Sequence, residues 1–301
     1  MDNRIVWVDV AKGIGIIAVV IGHMVKVDGI IGQYIWGLHM PLFFFLSGLF
    51  LKKEAPIFHL LQKRAKNLLI PCLSFTILII VVDRYVFNDK SSSEELSFQL
   101  PDTCWFLTTL FLANIWSACL IRMVPVGFAI VLNVMIAFFC QIVNIPTWFS
   151  VSSTFVASSF LLLGYISKEM SYSNNVLCGS LLLYPLIVFV FDVHTGIKIN
   201  LFGLMGLIAA FVGIIQIAYL SNVINRVGGA GLQFMTFMGR NSLVIMLTHM
   251  IFISLYCHCV NISNPILFKF YQVIFVFTCS IASCYIFRGH LGRLLLKGSL
   301  K

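Results

Sequence analysis

Charge is the scarcest commodity in this chain: 10% of its 301 residues are charged, against 60% hydrophobic. A soluble domain carries roughly a quarter of its residues as charges. That shortfall, together with apolar runs of about 18 residues or more, excludes a soluble fold and reads as a polytopic membrane protein. Acids are rarer than bases, 11 Asp and Glu against 20 Lys and Arg, which leaves a net charge of +9. No basic tail and no aromatic-interleaved basic stretch goes with that excess, so nucleic acid is not an expected partner. Paired CxxC spacings are also missing. The nine cysteines lie mostly inside apolar runs and read as small membrane hydrophobes, neither zinc ligands nor a redox pair. In Cys257-His258-Cys259, adjacent side chains diverge by about 100° around a helix and no second pair completes a ligand set, so no metal is expected. The first apolar run is followed by no small-residue cleavage site and reads as a retained helix. No internal repeat and no separate soluble segment is visible, so residues 1–301 are expected to form one integral membrane domain.

About ten spans fit the hydropathy: Trp7 to Val27, Tyr34 to Leu51, Leu68 to Val82, Cys104 to Ile121, Phe128 to Val143, Phe155 to Ile166, Val176 to Phe191, Leu201 to Leu220, Ser242 to Cys259 and Leu267 to Phe287. The fold class is therefore all-α. With the N-terminus inside, the inner segments collect most of the Lys and Arg, including Lys52, Lys53, Lys63, Arg64, Lys66, Arg226, Arg240 and Arg288. The positive-inside rule then puts both termini in the cytoplasm. Asp83 to Asp102 is an outer loop, and Lys52 to Asn67 an inner connection whose Lys63, Arg64 and Lys66 precede the apolar Leu68-Leu-Ile-Pro71. That cluster serves either as a dock for a cytoplasmic anion or as a simple orientation anchor. Gly228-Gly-Ala-Gly231 reads as a flexible inner connector, without the strand that a dinucleotide fingerprint needs.

The first span is the most informative piece. Asp9, Lys12 and His23 sit in an otherwise apolar run, where an aspartate or lysine costs roughly 2.5 to 3.5 kcal/mol at a helix centre. Residues 12 and 23 differ by only about 20° around a helix axis, and residue 9 lies within about 60° of residue 12. One polar stripe thus climbs one helix, with Asp9 and Lys12 placed to form or approach an ion pair. His23 lies about 24 Å above the inner end, and His39, entering from outside, descends about 8 Å, so a core of roughly 30 Å brings both toward its outer half. For His39 and His249 the reading is divided between chemistry and a helix-packing hydrogen bond.

The order Asp9-x-x-Lys12-Gly-Ile-Gly, Gly22-His23, His39-Met-Pro-Leu-Phe-Phe-Phe-Leu-Ser-Gly48, Arg64 to Pro71, Trp105-Phe-Leu107 and Asn241-Ser-Leu through His249 resembles the acyltransferase-3 family of integral membrane acyltransferases. Its fucose O-acetylase-like branch is the most similar. The resemblance implies ten helices, a cytoplasmic acyl-CoA donor, most simply acetyl-CoA, and a carbohydrate hydroxyl as acceptor, in a polysaccharide or a lipid-linked glycan, at a bacterial inner membrane. It also implies that Lys12 and His23 mark the site, because the family carries a basic residue, ten others and then a histidine. Longer members carry an appended soluble domain, and none is expected within residues 1–301.

Sugar acetylation needs a base for the hydroxyl, stabilisation of the oxyanion and an acid for the leaving thiolate. His23 is the expected base and His39 its alternative, with Asp9 and Lys12 supporting the site or the donor. Arg64 and Lys66, with Lys63, are candidates for the donor phosphates. Ser47 and Asn241 either donate within the site or stitch helices together, and Trp105 is either a sugar platform or an interfacial belt residue. The same stripe would suit a proton-coupled transporter or a glycan flippase.

Overall fold

The computed structural model describes residues 5–25, 29–85, 105–143, 151–168, 174–190 and 201–288. In chain order the helices are α1 (Val6–Gly22), α2 (Ile30–Trp36), α3 (His39–Gly48), α4 (Ile57–Arg64), a π-helical turn (Ala65–Leu69), α5 (Ile70–Tyr85), α6 (Trp105–Met123), α7 (Val126–Ile142), α8 (Val151–Ile166), α9 (Asn174–Val190), α10 (Leu201–Val227), α11 (Gly229–Arg240), α12 (Ser242–Cys259) and α13 (Pro265–Ile286). The described residues are all-α, with no strand among them. Among the described residues, five stretches are long and apolar enough to cross a bilayer: Ile57–Val82, Trp105–Met123, Gly206–Val227, Ser242–Cys259 and Pro265–Ile286.

The chain divides into two compact units. One comprises Met1–Glu54, Trp116–Pro146 and Ser152–Ser242, the other Ala55–Ile115, Thr147–Val151 and Leu243–Lys301.

In the first unit, α1 is the hub, packed by α11, α10, α3 and α2. Its contact with α11 is a backbone-on-backbone crossing. A side chain at Gly13 would run into the Met235 carbonyl, and one at Gly239 into the Asp9 carbonyl. Small residues let membrane helices approach this closely, where no hydrophobic force draws apolar faces together in lipid. The same device joins α3 to α8, with Gly48 against the Leu161 carbonyl and Gly164 against that of Phe45. On α7 the small or polar Ala129, Asn133 and Ala137 are buried at four-residue spacing, while Phe128, Val131, Met135 and Phe139 are exposed. Bulky apolar side chains outside and small ones inside are the reverse of a soluble amphipathic helix and fit a lipid-facing surface.

Three sequence expectations change here. The second span is not one helix: the chain breaks between α2 and α3 at Gly37 and Leu38. A broken helix leaves backbone carbonyls that lipid cannot satisfy. Tyr184 Oη donates to the Tyr34 carbonyl at 2.5 Å, and the Ile35 carbonyl accepts both the Leu38 N–H at 3.2 Å and His39 Nδ1 at 2.8 Å. Gly37 and Gly213 make room for the Tyr184 ring, which is fully buried. Secondly, the glycines expected to be a flexible connector mostly belong to α11. Gly228 and Gly229, both at φ 72°, turn the chain from α10 into α11, which runs on to Arg240 with one face packed against α1.

The third change lies in the second unit. The expected inner connection turns helical at Ile57, so Lys63, Arg64 and Lys66 sit on a continuous helical stretch leading into α5. Pro71 lacks an N–H, and its ring would clash with the carbonyl four residues back in a regular helix. The preceding turn widens to a π turn, with Ile70 N–H bonding the Ala65 carbonyl. Along α5, Leu73, Ile77 and Val81 are exposed while Cys72 and Phe75 are buried, Phe75 against Phe287 at 5.4 Å between ring centroids. α13 opens on Asn264, whose side chain accepts from the N–H of Ile266 and of Leu267, with Pro265 at the first helical position. That combination caps the helix start and needs no donor from the proline. α5 extends through Asp83 to Tyr85, and the remainder of the expected outer loop lies outside the described residues.

Candidate active site

Polar groups on α1 gather at its two ends, both inside the first unit. At the first end, Asp9 Oδ2 accepts from Arg240 Nε at 3.1 Å, with the Asp9 side chain 14% and the Arg240 side chain 49% exposed. This ion pair forms because Gly239 is seated on the Asp9 carbonyl itself, so the residue after it projects beside the aspartate. The expected partner of Asp9 was Lys12, yet the partner found is Arg240. One turn further along, the Lys12 ammonium lies over the Phe50 ring, 5.7 Å from its centroid. Ser47, half-buried on α3, lies one turn before Phe50.

At the other end, α1 stops at Gly22 and His23 caps it in the helical region, at φ −76° and ψ −11°, with its side chain exposed. Trp36, the last residue of α2, donates its indole N–H to the Gly22 carbonyl at 3.3 Å. Gly22 permits this, since a Cβ there would meet Ile35 and the Trp36 indole nitrogen. The Trp36 ring then touches both histidines edge-on, His23 at 5.4 Å and His39 at 5.2 Å between centroids. The two imidazoles expected at a common depth do come together, on one indole. His39 is buried, and its Nδ1 bonds the Ile35 carbonyl, which only accepts. Nδ1 therefore carries the proton, and a neutral His39 presents Nε2 as its basic nitrogen.

Asn241, buried just past α11, donates Nδ2 to the Phe237 carbonyl at 2.7 Å, so part of its hydrogen-bonding capacity closes its own helix end. Trp105, Lys63, Arg64, Lys66 and His249 belong to the second unit. Lys63 and Lys66 are exposed, whereas Arg64 is half-buried with its Nε covered and without a hydrogen bond among the described residues. His249 is buried, its Nδ1 bonded to the Ile245 carbonyl at 3.1 Å. Trp105 is half-buried at the start of α6. Among the described residues no group of three or more His, Cys, Asp or Glu is placed to hold a metal ion.

Sequence reasoning passed over Arg240 and Trp36. Arg240 was counted only as an inner-face charge, although it directly precedes Asn241 and pairs with Asp9. Trp36 stands three residues before His39 on the other side of the α2–α3 break, which a reading of one continuous span did not contain.

An all-α chain with helices long and apolar enough to cross a bilayer defines an integral membrane protein. The chain belongs to the acyltransferase-3 family: that family's acyltransferase domain matches residues 5–289, nearly the whole length, and the protein is accordingly a membrane acyltransferase. No curated protein and no solved structure gives a significant match.

Proposed function

We propose that this protein moves an acetyl group from cytoplasmic acetyl-CoA to a hydroxyl of a cell-surface polysaccharide or its lipid-linked precursor, in a bacterial inner membrane with both termini inside. The observation that carries the reading is the pairing of His23 and His39 on Trp36, at the end of a helix whose other end holds Lys12 and the Asp9–Arg240 pair. A neutral imidazole of His23 takes the proton of the acceptor hydroxyl as its oxygen attacks the thioester carbonyl. The tetrahedral intermediate collapses with cleavage of the C–S bond, and the imidazolium returns its proton to the departing thiolate. His39, its tautomer fixed by the Ile35 carbonyl, is the alternative base on the same indole. His39 opens α3 directly after the break at Gly37 and Leu38, and His23 caps the end of α1; irregular backbone at membrane depth is tolerated where it lines a protein cavity.

Lys12 supports the donor side of this reaction. Considered by itself, the second unit offers Arg64 with Lys63 and Lys66 as proposed contacts for nucleotide phosphates, since cations at a membrane mouth meet phosphates without full desolvation. Ser47 and Asn241 are proposed substrate contacts within the first unit, and Trp105 and His249, separately, within the second. The test is mass spectrometry of surface glycans with and without the gene, joined to transfer of radiolabelled acetyl from acetyl-CoA by the purified protein in lipid nanodiscs. The expected result is the loss of one acetyl mass on one sugar in the deletion strain. Unchanged glycans and no turnover of acetyl-CoA would overturn the reading.

A further inference from the structure

We propose that Arg240, held in place by Asp9, binds the pyrophosphate of the acyl-CoA donor. This inference rests on the acetyl-CoA reading above and adds to it a residue and a position for the donor. The pair is built for presentation. Asp9 engages Arg240 through Nε alone, at 3.1 Å, and the two Nη groups carry no partner among the described residues. With Nε fixed on a carboxylate, the guanidinium is locked in plane, and its half-exposed outer edge offers the paired N–H fork that matches a phosphate. Cohesion does not account for the pair. An ion pair with one partner half-exposed contributes little stability, and the α1–α11 crossing is already set by Gly13 and Gly239 in backbone contact.

Lys12 supplies a second cation one turn along α1 from Asp9, with its ammonium over the Phe50 ring. The distance along α1 then fits the donor. Lys12 and His23 are eleven residues apart, about 16 Å at 1.5 Å per residue, and Asp9 is about 5 Å further back. From the pyrophosphate to the thioester sulfur, the pantetheine arm has about thirteen skeletal bonds, a little over four peptide units, and spans roughly 16 Å when extended. A pyrophosphate on Arg240 and Lys12 therefore sets the thioester near the imidazole of His23, along one face of one helix.

The chemistry recognised is a phosphate diester anion, which a lipid headgroup could also supply. The experiment measures binding of coenzyme A, 3′-dephospho-coenzyme A and pantetheine to the full-length protein in nanodiscs of phosphatidylcholine, with and without phosphatidylglycerol. Arg240→Ala is expected to weaken coenzyme A and its dephospho form equally, by about 10- to 100-fold, the range of a charge-assisted bidentate contact. Pantetheine, which has no phosphate, should bind the variant as it binds the wild type. Arg240→Lys should recover part of the loss, because a point charge replaces the fork. Arg240→Ala leaves Asp9 without its cation, so the double variant Asp9→Asn/Arg240→Ala, which buries no orphan charge, must fold and show the same ligand pattern. Equal affinity of wild type and variant for coenzyme A would overturn the proposal, as would an equal loss for pantetheine. A loss seen only with phosphatidylglycerol present would assign the site to a lipid headgroup and overturn it too. Wild-type protein that binds no coenzyme A would sink the donor reading itself, an outcome distinct from failure of Arg240 alone.

Discussion

Two glycines of α11 should respond to the same substitution with opposite sign. At Gly239 a methyl group would overlap the Asp9 carbonyl oxygen and crowd the Gly13 backbone, and neither can turn aside as a flexible side chain would. At Gly231, in the same helix, nothing lies within 4 Å of the position a Cβ would take. Glycine in a helix interior costs roughly 0.5 to 1 kcal/mol relative to alanine, so Gly231→Ala should stabilise the protein by up to about that amount. Gly239→Ala gains the same propensity term but must open the crossing. Overpacking of a tight contact costs typically 1 to 3 kcal/mol, and a backbone-on-backbone contact belongs at the upper end, for a net loss of about 1 to 2 kcal/mol. Opening the crossing also draws Arg240 away from Asp9, so coenzyme A affinity should fall with stability in Gly239→Ala and remain unchanged in Gly231→Ala. Thermal unfolding of the purified variants in one detergent, followed by ligand titration, reads both effects. Gly239→Ala with wild-type melting and wild-type affinity would refute the close crossing and the placement of Arg240 that depends on it.

Tyr184→Phe removes the donor that satisfies the Tyr34 carbonyl at the α2–α3 break, and should destabilise by about 1 to 3 kcal/mol, more than the average of about 0.6 kcal/mol for an interhelical membrane hydrogen bond; a silent substitution in the same melting assay would show that the carbonyl finds another donor. Arg64→Ala should weaken coenzyme A more than 3′-dephospho-coenzyme A if the second unit receives the nucleotide end, and equal loss for both would return Lys63, Arg64 and Lys66 to an orientation role. Reporter fusions at Ser92 should read outside and fusions near Lys63 inside, as the loop charges require; a cytoplasmic Ser92 would mean that the count of spans before it is wrong.

How far the sequence carried the fold depended on which force set each element. The apolar runs revealed most of the long helices because hydropathy alone decides whether a segment enters lipid, and the start of α13 was approximately right for that reason. The break at Gly37 and Leu38 was hidden, because its compensation comes from Tyr184, 150 residues away in the chain. No local pattern announces a carbonyl satisfied from so far off. α11 was hidden for a related cause: its glycines look like a linker until Gly239 is seen against Asp9. At the site, Asp9, Lys12 and His23 stood out because ionisable groups are conspicuous in an apolar run, whereas the approach of His23 and His39 to one another runs through Trp36 and a helix break that helix rise does not contain. Arg240 did not stand out, since an arginine at an inner helix end already has a sufficient explanation in membrane orientation. Its ion pair is a product of helix crossing, which single-helix periodicity does not contain.

The central claim is that His23 is the base, and the most direct measurement is the acetyl transfer rate of His23→Ala beside its coenzyme A affinity, in protein that elutes as the wild type does from a sizing column. Loss of a general base lowers the rate on the order of 10² to 10⁴-fold, whereas loss of a packing contact on Trp36 would cost stability and spare the chemistry. The expected result is a folded variant with unchanged coenzyme A binding and transfer reduced by at least about a hundredfold. Transfer at near wild-type rate in a well-folded His23→Ala protein would contradict it and move the base to His39.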